Sequence, residues 1–204
     1  MDARRAESWT GGYSLVTDHR HGHAGTGMND IRRPRLGVDF GRVIQGAALT
    51  PGTADTVFLS GGYAEAMRTP PTPGAFEVLA RLVPRFGGQA WVISKCGPRI
   101  EERTRQWLDH HDFAARTGIP RENLRFCRTR ADKAPHCAEL GITHMIDDRP
   151  DVHRALRAVV PRLYLFGAQA EPAPDWLCHT PDWPAVERMI GADLDAAGQA
   201  PGSP

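Results

Sequence analysis

With 204 residues, 25 Lys and Arg against 24 Asp and Glu, and a formal net charge of +1, the chain is long enough for one domain with a small insertion. It carries no overall field that would draw a nucleic-acid polymer or an anionic membrane, so neither is an expected partner. The four cysteines, Cys96, Cys127, Cys137 and Cys178, form no CxxC pair. That spacing argues against a disulfide framework and a zinc knuckle, and fits buried thiols in a reducing compartment.

Residues 1–33 mix Gly, His, Asp and Arg without a helical or strand period and read as a disordered leader. Within it, HRHGHAG (His19–Gly25) reads as ordinary polar chain rather than a metal tract. The opening MDARRAESWTGG has no apolar signal core, and no window reaches 18 apolar residues, so a cytoplasmic location is expected.

RLGVDF is the first apolar strand and opens a single domain expected over 34–192. Residues 45–73 are rich in Pro and Gly and read as a loop-rich insertion with one short helix near Tyr63–Met67. That is long for a simple connection, so a small lid is expected there. PGAFEVLARLVPRF reads as a helix, with Pro73 in its first turn and Phe76, Leu79, Ala80 and Val83 at helical spacing.

QAWVIS (89–94) is the next strand, and Pro98 opens a helix carrying Ile100, Thr104, Trp107 and Leu108. LRFC (124–127) is a third strand, followed by a helix from about Asp132 to Leu140. THMID (143–147) is a fourth, followed by a helix through Val152, Leu156 and Val159, and LYLF (163–166) is a fifth. PDWPAVERMI starts a last helix near Pro184, and GADLDAAGQAPGSP reads as a frayed polar tail, with 193–204 flexible. Alternating strands and helices with short apolar strands predict an α/β fold: an open Rossmann-like parallel sheet flanked by helices, with at most a small cap insertion.

In such a sheet, ligands gather beyond the carboxyl ends of the strands, where the strand order reverses. The residues at those ends are Asp39, Ser94 and the pair Asp147-Asp148, with Lys133 opening the helix after the third strand. Carboxylates brought together from such distant positions would repel unless a cation joined them. An all-oxygen donor set favours Mg2+ over zinc.

These four pieces, LGVDFGRVI, WVISK, the Lys133 segment RADKAPHCAELG, and HMIDDRPD, resemble in order and spacing the four motifs of the haloacid dehalogenase-like hydrolases. That superfamily consists mostly of Mg2+-dependent phosphatases, and the resemblance covers about residues 35–166. The IDDR form of the last motif is similar to the small nucleotidase-like branches.

The resemblance implies that Asp39 is the nucleophile and a metal ligand, that Ser94 holds a phosphoryl oxygen, and that Lys133 neutralises the reacting oxygens. It also implies that Asp147 and Asp148 complete the metal site with the backbone carbonyl of Gly41, and that Asp151 lies in the surrounding shell. The expected partner is a small phosphorylated molecule, possibly nucleotide-like in class. Arg42 and Lys95 are candidate anion contacts, and Tyr63 and Arg68 candidate substrate contacts from the insertion. His110, His111, His136 and His144 lie away from the strand ends, and His144 reads as structural. The sequence leaves the oligomeric state open, a dimer included.

One position departs from the family pattern. Two residues after the nucleophile, family phosphatases carry a second aspartate that protonates the leaving oxygen and later activates water. This chain has Gly41 there. Three readings follow: a phosphoryl hydrolase with a substituted or absent acid, a silent binding or regulatory protein, or a hydrolase of bonds whose leaving group needs no proton.

Overall fold

The computed structural model describes residues 33–46 and 56–198. The predicted leader, apart from residue 33, and the middle of the insertion (47–55) lie outside the described residues, as do residues 199–204 of the predicted tail. In chain order the elements are β1 (Leu36–Val38), α1 (Thr56–Ser60), α2 (Tyr63–Arg68), α3 (Ala75–Arg85), β2 (Ala90–Lys95) and α4 (Pro98–His110). They continue with α5 (Phe113–Thr117), a 3-10 turn at Arg121–Asn123, β3 (Leu124–Cys127), α6 (Lys133–Leu140) and β4 (His144–Asp147). The last are α7 (Pro150–Leu156), β5 (Arg162–Phe166), β6 (Cys178–Thr180) and α8 (Trp183–Gly198).

The six strands form one sheet in the order β3-β2-β1-β4-β5-β6, and every neighbouring pair is parallel. This is the expected Rossmann-like arrangement. From β1 the chain builds first toward β2 and β3 and then returns to β4 on the other side, so the order reverses at β1. The carboxyl ends of β1 and β4 therefore flank the crevice where such sheets bind ligands.

Strand alternation divides the core into two layers, because successive side chains point to opposite faces. Leu36, Val38, Val92, Ile146, Tyr164 and Phe166 face one layer with Phe76 and Leu79 of α3, Trp107 of α4 and Trp183 of α8. Ile93, Met145, Leu163 and Leu165 face the other, with Cys137 of α6 and Val152 and Leu156 of α7. Gly37 belongs to this second face, and a Cβ on it would lie 2.6 Å from the sulfur of Met145 and 3.2 Å from Ile142. Glycine there lets the second layer close against the central strand.

Three details differ from the sequence reading. The helix after β4 ends at Leu156, and Val159 is partly exposed in the turn that leads to β5. α8 extends through Gly198, past the point where a frayed tail is predicted. The polar stretch is tied down: the Tyr164 hydroxyl donates to Asp193, and Arg85 reaches both Asp195 and the carbonyl of Gly191. Finally, β6 is a strand that Cys-His-Thr does not announce, made by pairing with β5. Among the described residues no helix is long and apolar enough to cross a membrane.

Candidate active site

β1 ends at Val38, and the amide of Asp39 still donates to the carbonyl of Ile146 on β4 at 2.9 Å, which holds the first carboxylate beside the end of the fourth strand. The chain then turns sharply, with the amides of Ile44 and Gln45 both donating to the carbonyl of Phe40. Arg42 takes a left-handed conformation in this turn (φ 65°), its amide donating to the carbonyl of Gln45 at 2.7 Å. A non-glycine residue held there costs on the order of 1 kcal/mol, a strain that turns often store next to a site.

Lys133, the first residue of α6, is almost fully buried. Its ammonium donates to Asp39 Oδ1 at 2.7 Å and to Asp147 Oδ2 at 2.6 Å. The other oxygen of Asp147 accepts the backbone amide of Arg149 at 2.9 Å. His153 Nε2 lies 3.0 Å from the carbonyl of Asp147, bracing the strand end from α7. Asp148 Oδ2 lies 3.2 Å from Arg42 Nε, yet neither atom has a hydrogen-bond partner among the described residues.

Asp39, Asp147 and Asp148 are all buried, and each offers an oxygen within 4.8 Å of the others. Burial pushes the Asp39 carboxyl up to about 6, the Lys133 ammonium opposing and the charge of Asp147 adding. Burial likewise pushes Asp148 up to about 7, reinforced by Asp39 and Asp147 and opposed by Arg42 and Arg149. Burial alone would lower Lys133, but its two carboxylate partners outweigh that and hold it well above the usual lysine range. The cluster thus has a deficit of positive charge, and Asp148 Oδ2, though beside Arg42, makes no hydrogen bond among the described residues. A metal ion bound by oxygens would satisfy both.

The cluster opens into a cavity of about 360 Å³ that also takes in Gly41, Ser94, Lys95 and Cys96. Phe58 and Leu59 of α1 close one side. α1 is held there by two arginines of α4, with Arg103 donating to the carbonyl of Phe58 at 2.7 Å and Arg99 to that of Leu59 at 3.1 Å. The insertion thus places the end of α1 against the cavity. The Cys96 thiol is pushed up to about 11 by burial, so it stays protonated and is a poor metal ligand at neutral pH.

The fold brings together Asp39, Gly41, Arg42, Ser94, Lys95, Lys133 and Asp148 around one cavity, with Asp147 beneath it. It does not bring Tyr63 or Arg68, which are exposed on α2 and do not line the cavity. The insertion residues that line it are Phe58 and Leu59. Asp151 is half-exposed, and its carboxylate pairs with Arg130 and Arg149. His144 is structural as expected: it packs between Phe86 and Tyr164, and burial holds it down at about 4.

Sequence reasoning passes over Arg130, Arg149 and His153. Arg149 and His153 were visible in outline, since they follow the acidic pair by one and five residues. Arg130 precedes Lys133 by three residues, in a turn whose course only the fold sets.

Fold and site together define an α/β protein whose parallel sheet carries a buried acidic cluster, bridged by a lysine, at the point where strand order reverses. Scanned against protein-family models and against curated proteins, the chain matches none.

Proposed function

We propose that the chain is a haloacid dehalogenase-like, Mg2+-dependent phosphoryl hydrolase working through an aspartyl phosphate on Asp39. The observation that carries this reading is the convergence of Asp39, Asp147 and Asp148 on one point, with Lys133 bonded to two of them, at the mouth of a cavity at the switch point. The donor set supports Mg2+: three carboxylates, one with an oxygen that makes no hydrogen bond among the described residues, and a nearby thiol that stays protonated leave oxygen as the only donor type. Asp39, Asp147, Asp148 and the Gly41 carbonyl would hold the ion, which when bound shields the nucleophile from the phosphoryl charge.

The chain's own residues account for the rest. An Asp39 oxygen attacks phosphorus, a phosphorus–oxygen bond to the leaving group breaks, and the electron pair departs with that oxygen. Lys133, fixed by two short bonds, keeps Asp39 anionic and oriented. Ser94 faces the transferring oxygens from the end of β2. Water then attacks the same phosphorus, the bond to Asp39 breaks with its electrons returning to the carboxylate, and the proton released passes to phosphate or solvent.

Protonation of the leaving oxygen in the first step has no agent. Among the described residues lining the cavity there is no histidine and no carboxylate beyond Asp39 and Asp148. This favours substrates whose leaving group is already a stable anion, such as acyl phosphates and phosphoanhydrides, over alcohol monoesters.

The test is a phosphate-release screen over alcohol monoesters, acyl phosphates and anhydrides, with Mg2+ or EDTA, run beside Asp39→Asn. Mg2+-dependent release that Asp39→Asn abolishes is expected. Release from no substrate would leave the silent binding protein as the surviving reading, and release that survives Asp39→Asn would overturn the nucleophile.

A further inference from the structure

Five cationic side chains line the cavity: Arg42, Lys95, Arg130, Lys133 and Arg149. They face three carboxylates, Asp39, Asp147 and Asp148, of which Asp147 lies beneath the cavity. Lys133 and Arg42 are engaged with the acidic cluster itself. A divalent ion on the cluster would turn its net charge from −1 to +1, and one transferring phosphoryl group would then face further cations that nothing in the cluster neutralises.

Two of those cations converge on a single point. Arg130, in the turn after β3, and Arg149, at the start of α7, approach opposite oxygens of the Asp151 carboxylate, at 3.4 and 3.5 Å. These separations exceed the 2.7–2.9 Å typical of a charge-assisted hydrogen bond, so Asp151 is a loose partner. Arg149 Nε is buried and has no hydrogen-bond acceptor among the described residues. Asp151 therefore marks an anion-sized seat between two guanidinium groups at the edge of the cavity, and holds it weakly.

We infer that Arg130 and Arg149 form a second anion subsite, so that the substrate is a phosphoryl compound bearing a further phosphate or carboxylate beside the phosphoryl group that reacts. The inference rests on the phosphoryl-hydrolase reading for the first subsite. It also fits the missing acid at Gly41: an arginine pair can stabilise a leaving group that departs as an anion, where no side chain supplies a proton. Planar guanidinium groups suit a phosphate or carboxylate because they can donate two parallel hydrogen bonds to it.

The test is calorimetric titration with inorganic orthophosphate and inorganic pyrophosphate at fixed free Mg2+, on the full chain and on R130Q/R149Q and D151N. A dicationic subsite of this kind should make pyrophosphate bind about 10- to 100-fold more tightly than orthophosphate. R130Q/R149Q should erase that preference while changing orthophosphate affinity by less than about threefold. D151N keeps both arginines and frees them of their internal partner, so it should tighten pyrophosphate several-fold, about the worth of an exposed ion pair.

No preference for pyrophosphate, or a preference that survives R130Q/R149Q, would overturn the subsite. If the double variant does not fold, D151N decides: pyrophosphate affinity unchanged or weakened overturns it. Pyrophosphate binding that follows the arginines, with no Mg2+-dependent phosphate release from any compound, would keep the subsite and reject hydrolysis. Failure of both anions to bind would reject both.

Discussion

Replacing Lys133 with methionine removes one buried charge and leaves two facing carboxylates unpaired. The Lys133 ammonium lies 2.7 Å from Asp39 and 2.6 Å from Asp147, and only 2 % of the side chain is exposed, so water cannot take its place. Breaking a buried ion pair from one side costs about 3–5 kcal/mol. For a chain of this size each kcal/mol lowers the melting temperature by roughly 2–4 °C, so K133M should melt about 6–20 °C lower in EDTA at pH 8.

The loss should shrink in acid. Burial already pushes the Asp39 carboxyl up to about 6 from its usual 3.8, and the variant removes the lysine charge that holds it down. A group with a raised folded pKa binds protons more readily when folded, so the variant gains stability as pH falls below that value and loses it as pH rises through it. Thermal melts by circular dichroism at pH 5.5 and pH 8, in EDTA and in Mg2+, read all of this. A drop under about 3 °C at pH 8, or a larger drop at pH 5.5 than at pH 8, would refute the account of Lys133 as the cluster's counter-charge.

G41D should raise the rate on alcohol monoesters by a factor of about 10² or more, read by phosphate release, because a general acid contributes roughly 10²–10⁴. A Cβ at Gly41 meets nothing within 4 Å, so the variant should melt within about 2 °C of the parent. Mg2+ should raise the melting temperature more at pH 8 than at pH 5.5, since protons compete for Asp39 and Asp148, raised to about 6 and about 7; an equal rise at both pH values would place the ion elsewhere. G37V should lose about 1–3 kcal/mol in urea unfolding, because its side chain enters the space of Met145 and Ile142.

Much of the fold is legible because it depends on local pattern. Short apolar runs such as LRFC and THMID alternate with helical spacing, and β3 matches its predicted limits while β2 and β4 differ by one residue. What stays hidden comes from tertiary partners: β6 exists through its ladder with β5, and the polar end of α8 is helical because Tyr164 and Arg85 hold Asp193 and Asp195. The β5–β6 partners are 14 residues apart and the two side-chain ties 29 and 110, beyond the reach of a local pattern.

The site divides in the same way. Asp39, Ser94, Asp147 and Asp148 are determined by the sequence, because each ends an apolar strand and a parallel sheet puts all such ends on one edge. Gly41 likewise shows from the sequence that no carboxylate stands two residues after Asp39. Only the tertiary structure decides what those residues face. It shows Lys133 bonded to two carboxylates, Arg42 turned onto Asp148 by a left-handed backbone, and Tyr63 and Arg68 left outside while Phe58 closes the cavity. The physical reason is that strand periodicity determines which side chains reach an edge, whereas the pairing of charges there depends on where separate turns and helices bring them in space.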